Sequence, residues 1–220
     1  IMKKHKICII GDGLSGLIAA KTLGKLNIEI DLISQKSKSF FLDNRTTAIS
    51  PSNYKFISEN LFKKKRNPFY ECKKISLYHE KKKDCLFNFM NFENSNKGLM
   101  YIVENKHLRN ALISNIKKNK QIKRLKANVE KIDHKKTSIF FKNKEYFYDM
   151  ILLCTGKNKN FVKKLIGKRL IVDNKNETAF TCIINHDFSL TDSKQFFLKE
   201  GPMAILPISD KKFSLIWSMN

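Results

Sequence analysis

Proline and glycine are scarce in this chain: four prolines and eight glycines in 220 residues leave no Pro/Gly/Ser-rich stretch to act as a linker between separable domains. No internal repeat is present either, so repeat architectures are excluded. Cysteine is too scattered for a disulfide framework or a zinc knuckle, since Cys8, Cys72, Cys85, Cys154 and Cys182 are odd in number and include no CxxC pair. That usage fits a reducing, cytosolic compartment. No apolar run approaches the length that crosses a bilayer, and the opening residues lack a long apolar segment followed by a small-residue cleavage site. A cytoplasmic protein is expected, soluble or peripheral on the inner membrane.

Arginine is the further scarcity. The formal charge is +23, yet only Arg45, Arg66, Arg109, Arg124 and Arg169 among the 43 basic residues carry the bidentate fork that base-reading proteins favour. The 38 lysines are spread along the whole length. Such uniform enrichment reads first as compositional bias of the source genome, and no nucleic-acid partner is expected. A basic surface also attracts anionic lipid, and Lys63-Lys64-Lys65-Arg66 and Lys81-Lys82-Lys83 are the segments to face it. No paired carboxylates, Ser/His/Asp set or metal cluster stands out. His107 and His186 are lone histidines, assigned to surface or core. Phe87, Phe89 and Phe92 are assigned to ordinary core packing, with an apolar channel as the alternative.

What is present is an alternation of strand and helix signals. Lys6 to Ile10 reads as a short buried strand, Ser15 to Leu26 as a helix and Ile28 to Ile33 as a second strand, a βαβ beginning. Pro51 to Phe62 reads as a helix with proline in its first turn. Ile75 to Phe92 reads as extended, folded near the lysine triplet into a hairpin. Leu108, Ala111, Leu112 and Ile116 build one apolar stripe on a helix from Asn105 to Lys118. A meander is expected over Ala127 to Asp133, Thr137 to Lys142 and Glu145 to Tyr148, feeding Met150 to Cys154, a fully buried parallel strand. Antiparallel strands follow over Thr178 to His186, Gln195 to Lys199, Met203 to Pro207 and Lys212 to Ser218.

Gly11-Asp12-Gly13-Leu14-Ser15-Gly16 matches GxGxxG in the context that motif needs, an apolar strand before it and a helix after. The first glycine permits the tight turn, the second lets backbone approach a pyrophosphate, and the third allows close helix-to-strand packing. Free N–H groups at the helix start, helped by the helix dipole, would hold the phosphate. The fingerprint also wants an acidic side chain closing the second strand, and here Ser34 stands in its place. Its hydroxyl is a weaker, neutral partner for a ribose. Asp31 comes too early.

Four further segments extend the pattern: Leu42-Asp43-Asn44-Arg45-Thr46-Thr47-Ala48-Ile49-Ser50, Tyr101 to Leu112, Leu153-Cys154-Thr155-Gly156, and Gly201-Pro202-Met203-Ala204-Ile205-Leu206-Pro207-Ile208 with its trailing Ser-Leu-Ile-Trp strand. In order and spacing they resemble the aromatic-ring flavin monooxygenases. The likeness is nearest to the polyprenylphenol hydroxylases of ubiquinone biosynthesis, the group that includes 2-octaprenyl-6-methoxyphenol hydroxylase.

That resemblance implies an α/β fold: a Rossmann-like FAD-binding domain over 1–72 and 101–172, interleaved with a mainly antiparallel substrate domain over 73–100 and 173–220, as in para-hydroxybenzoate hydroxylase. It implies FAD, reduced by NAD(P)H, that activates oxygen to hydroxylate the ring of a polyprenylated phenol. Carried over by motif, Gly11, Gly13, Leu14, Ser15 and Gly16 would meet the FAD diphosphate, with Ser34 near the ribose. Arg45 and Arg109 would bring positive charge, and Gly156 would sit beside the cofactor. Arg45 could instead pair locally with Asp43, Arg109 could be a solvated helix face, and Gly156 could serve only its turn.

The chain departs from that family where Lys157-Asn158-Lys159 replaces the usual Ser and Arg after the strand-end glycine. Family members also run well over a hundred residues further, so the chain is expected to correspond to their amino-terminal part and not to hold FAD tightly or turn over unaided. A peripheral membrane position and a ubiquinone-biosynthesis complex are the partners implied. A nicotinamide-dependent Rossmann oxidoreductase and a noncatalytic nucleic-acid-binding protein are the rival readings.

Overall fold

The computed structural model describes residues 4–34, 43–61, 67–82, 85–156, 162–163 and 176–219. The Lys63–Arg66 cluster, Lys83, Arg169 and the departure after Gly156 lie outside them. The chain divides into two compact units, residues 1–41 with 109–172 and residues 42–108 with 173–220.

Unit 1 is built on a parallel sheet. β1 (Lys6–Ile10) and β2 (Glu29–Ser34) are joined by α1 (Leu14–Leu23), which ends where Gly24 donates its N–H to the Ala20 carbonyl. The register pairs Lys6 with Glu29 and Ile10 with Ile33. Later come β8 (Ile122–Lys126), a meander of β9 (Lys131–Asp133), β10 (Ser138–Phe141) and β11 (Lys144–Phe147), and finally β12 (Met150–Leu153). The sheet order is β12-β1-β2-β8, all parallel. Ile9, Ile10, Leu32 and Ile33 are fully buried, each contributing about 1.5–3 kcal/mol through the area removed from water. The meander seats Ile139, Phe141 and Tyr148 on Cys8, Ile10 and Ile33.

Two sequence expectations change here. β12 is parallel as expected but not fully buried: Met150 and Leu153 are about half exposed, because the strand lies at the sheet's edge among the described residues. β8 was not foreseen, because Ile-Lys-Arg-Leu-Lys offers too few apolar residues to read as a sheet strand.

Unit 2 holds a small sheet of β3 (Thr46–Ile49), β7 (Met100–Glu104) and β4 (Tyr70–Cys72), in the order β3-β7-β4, and the helix α2 (Pro51–Leu61). Its larger sheet contains β5 (Lys74–Lys82), β6 (Cys85–Glu93), β13 (Thr178–Asn185), β14 (Ser193–Leu198), β15 (Gly201–Ser209) and β16 (Lys212–Met219), ordered β13-β16-β15-β14-β5-β6. Every neighbouring pair is antiparallel except β14 with β5. β4 and β7 contact β15, so residues 42–72 and 101–108 cluster with this unit. Phe87, Phe89 and Phe92 are not core residues: each is nearly half exposed on β6, an edge strand among the described residues. The helix α3 (Asn105–Ile116) carries the expected stripe, with Leu108, Leu112 and Ile116 buried.

Candidate functional site

The three motif glycines of unit 1 have different surroundings, and the difference marks out a site. Gly11 has φ +112°, donates its N–H to the Ile33 carbonyl at 2.9 Å, and would drive a Cβ to 2.2 Å from the Cys154 carbonyl oxygen. A Cβ on Gly16 would lie 1.9 Å from the Gly11 carbonyl oxygen. Both therefore serve the close approach of turn, helix and strand. A Cβ on Gly13 would meet nothing within 4 Å. Backbone at Gly13 thus faces open space where a ligand can approach.

Gly13 is also the N-cap of α1, with no side-chain cap, and the first turn holds no acidic residue. The first intrahelical bond of this turn runs from the Leu17 N–H to the Gly13 carbonyl. The amides of Leu14, Ser15 and Gly16 precede it, and helical geometry leaves such groups without a partner inside the helix. Together with the dipole they favour an anion.

Asp12, inside the loop, would repel that anion were it not held. Its carboxylate is buried and accepts from Arg109 Nη2 at 2.8 Å and from Arg124 Nη2 at 3.4 Å. The two guanidinium groups together neutralise that carboxylate. Arg109 thus reaches the glycine loop rather than lying on a solvated helix face. Asp12 and Arg124 escaped the sequence reading. The usable signal was that Arg124 is one of only five arginines.

Ser34 closes β2, half-buried, with its carbonyl accepting from the Ala127 N–H at 3.1 Å. Asp31 is engaged elsewhere in unit 1: Lys6 Nζ lies 3.1 Å from its carboxylate and the Tyr148 hydroxyl donates to it at 2.9 Å. Burial, and then the Asp31 charge, push the Tyr148 phenol well above its ordinary value and the neighbouring Cys8 thiol up to about 12. Gly156 has φ +57° with open space around it. Burial also raises the Cys154 thiol.

In unit 2, Arg45 grips Asp43 through a two-pronged fork, Nε to Oδ1 at 2.7 Å and Nη2 to Oδ2 at 2.8 Å. The Arg45 hydrogen bond holds the Asp43 carboxyl below the usual carboxylate range. The local pairing weighed as the alternative for Arg45 is therefore present. The residues of unit 1 fit the diphosphate of a dinucleotide, and β2 closes on a hydroxyl rather than a carboxylate.

Residues 5–195 match the family described as pyridine nucleotide-disulphide oxidoreductase. Comparison with curated proteins found no match. Among solved structures the chain is similar to PqsL of Pseudomonas aeruginosa, described as "a probable FAD-dependent monooxygenase" (TM-score 0.79, 12% identity, 99% of this chain and 61% of that one). It is also similar to p-nitrophenol 4-monooxygenase PnpA of Pseudomonas putida DLL-E4 (0.77, 13%, 99% and 58%). A third similar structure is CtdE in complex with FAD (0.71, 13%, 99% and 60%). The chain thus spans about three fifths of the length of these structures. At such identities what is shared is the fold.

Proposed function

The chain belongs to the pyridine nucleotide-disulphide oxidoreductase family, and from this premise we propose that its first unit binds FAD as part of a flavin-dependent aromatic monooxygenase. The observation that carries the reading is the open space at Gly13 in front of the uncapped α1, with Asp12 neutralised by Arg109 and Arg124. The flavin-dependent neighbours support FAD as the nucleotide.

In this reading the amides of Leu14, Ser15 and Gly16 hold the diphosphate, Gly11 and Gly16 keep the turn tight enough for them to converge, and Ser34 meets the ribose. Arg109 and Arg124 keep the Asp12 carboxylate from repelling the phosphates. Gly156 leaves room beside the cofactor, while in unit 2 the Arg45–Asp43 fork fixes its own loop. Bound FAD, reduced by NAD(P)H, supplies the activation of dioxygen that places one oxygen atom on an electron-rich ring, while the protein orients and desolvates the reactants.

The finer reading is a polyprenylated phenol as substrate, within ubiquinone biosynthesis. It is supported by the DxRxxAIS run at Asp43 to Ser50 and the GPxAxLPIxD run at Gly201 to Asp210. Such a substrate resides in a bilayer, which favours a peripheral membrane position and company with other enzymes of that route.

Titrating purified protein with FAD and with ADP, followed by flavin fluorescence and by thermal shift, tests the nucleotide reading. Saturable binding of both is expected, lost in Gly13→Val. A folded chain that binds neither would overturn it. Incorporation of labelled dioxygen into a polyprenylphenol by the complete protein with NAD(P)H tests the substrate class, and turnover of simple phenols alone would refute it.

A further inference from the structure

The β5–β6 hairpin of unit 2 carries its largest apolar side chains where a soluble sheet edge ordinarily carries charge. β6 reads Cys-Leu-Phe-Asn-Phe-Met-Asn-Phe-Glu and, among the described residues, is an edge strand of its sheet. Phe87 is 48% exposed, Phe89 44%, Met90 44% and Phe92 47%. The register gathers them. Phe92, Met90 and Phe87 stand opposite Ile75, Leu77 and His79, which alternate onto one face, the irregularity at Phe89 keeping Met90 and Phe87 in phase. Phe197 of β14 stands opposite His79 on the same face, 42% exposed, and its ring lies 5.9 Å from that of Phe89. The result is a contiguous apolar patch, the kind of surface that marks an interaction site.

Charge decides the occupant. Lys81 Nζ lies 4.3 Å from the centre of the Phe87 ring, and Lys82 follows at the hairpin's end. Among the described acids of the hairpin, Glu93 lies 3.6 Å from Lys74 Nζ and Glu80 accepts from the Lys199 N–H at 3.0 Å. A formal charge of +23 sets two copies of the chain against each other, whereas a negative lipid surface attracts it. Aromatic side chains that enter the headgroup boundary, beside lysines that keep their ammonium groups at the phosphates, form the pattern of an interfacial anchor.

We propose that the exposed face of β6, with Lys81 and Lys82 at its end, docks unit 2 on an anionic lipid bilayer. The inference rests on unit 2 alone and is independent of the flavin reading, so FAD titration is the same in all the variants below.

Because so basic a protein would adhere to anionic vesicles through any face, the test reads where it inserts. Phe87→Trp is compared with Phe147→Trp, at an exposed position of unit 1, over the signal of the native Trp217. Vesicles contain phosphatidylglycerol with brominated phosphatidylcholine, or phosphatidylcholine alone. Quenching of F87W but not F147W, on the anionic vesicles only, is expected. The triple variant F87S/F89S/M90S should lose at least about tenfold in partitioning while keeping its melting temperature, since the three side chains are half in solvent already. Equal quenching at both positions, no quenching, or unchanged partitioning of the triple variant would overturn the proposal. So would a stable dimer, seen by sedimentation, that the triple variant dissolves, because it would give the face to a second copy.

Discussion

Substituting the glycines of the loop one at a time separates a ligand-facing residue from two that serve packing. Gly16→Ala gains about 1 kcal/mol of helix propensity. Against this, its new methyl would sit 1.9 Å from the Gly11 carbonyl oxygen, which is backbone and cannot swing aside. Relief requires α1 to move away from the β1 turn, and overpacking of this kind costs about 3 kcal/mol or more, a net loss of about 2 kcal/mol. For a chain of this size that lowers the melting temperature by roughly 4–8 °C. Gly13→Val differs. Its φ of −70° suits any residue, and nothing lies within 4 Å of the added Cβ. The lost glycine cap and the stiffer unfolded chain are each worth about 0.5–1 kcal/mol and oppose each other. Stability should therefore hold within about 1 kcal/mol, while the isopropyl group occupies the place of the diphosphate and lowers FAD affinity at least about a hundredfold, equivalent to 2.7 kcal/mol. Thermal melts and FAD fluorescence titrations on both variants are the assay. A folded Gly13→Val protein that binds FAD within about twofold of the parent would refute the cradle. An undiminished melting temperature in Gly16→Ala would refute the packing argument.

Asp12→Asn removes the buried carboxylate charge that Arg109 and Arg124 share; breaking a buried pair costs about 3–5 kcal/mol, which the partial exposure of both arginines reduces to about 2, and urea denaturation would show it as a lower midpoint. Cys85, exposed, should react with a thiol reagent near neutral pH while buried Cys8 stays inert in the folded chain. Since burial lifts Cys8 from 9.0 to about 12, its linked stability is intact below about pH 9 and is lost as pH rises towards 12, where the unfolded thiol is already ionised. Arg45→Met should return the Asp43 carboxyl to the ordinary range in an NMR titration. The stability linked to that group in the parent is present above the ordinary aspartate value and lost as pH falls through the lowered one. The exposed pair is worth less than about 1 kcal/mol, so the melting temperature should barely move.

Amino-acid order alone determined the β1–α1–β2 opening, the β5–β6 hairpin, the meander and the paired strands at 201–219. Each depends on a period of two or 3.6, or on a glycine whose Cβ has no room, and these constraints act over a few residues. Folding in three dimensions decided the rest. Arg109 and Arg124 reach Asp12 across 97 and 112 positions, a convergence no local pattern records. β8 became a sheet strand despite its lysines because β2 offered it a parallel edge. Alternation along Phe87 to Phe92 indicates a strand but not what covers it; sheet order placed β6 at an edge among the described residues, and so left aromatic rings in solvent where composition alone would have buried them.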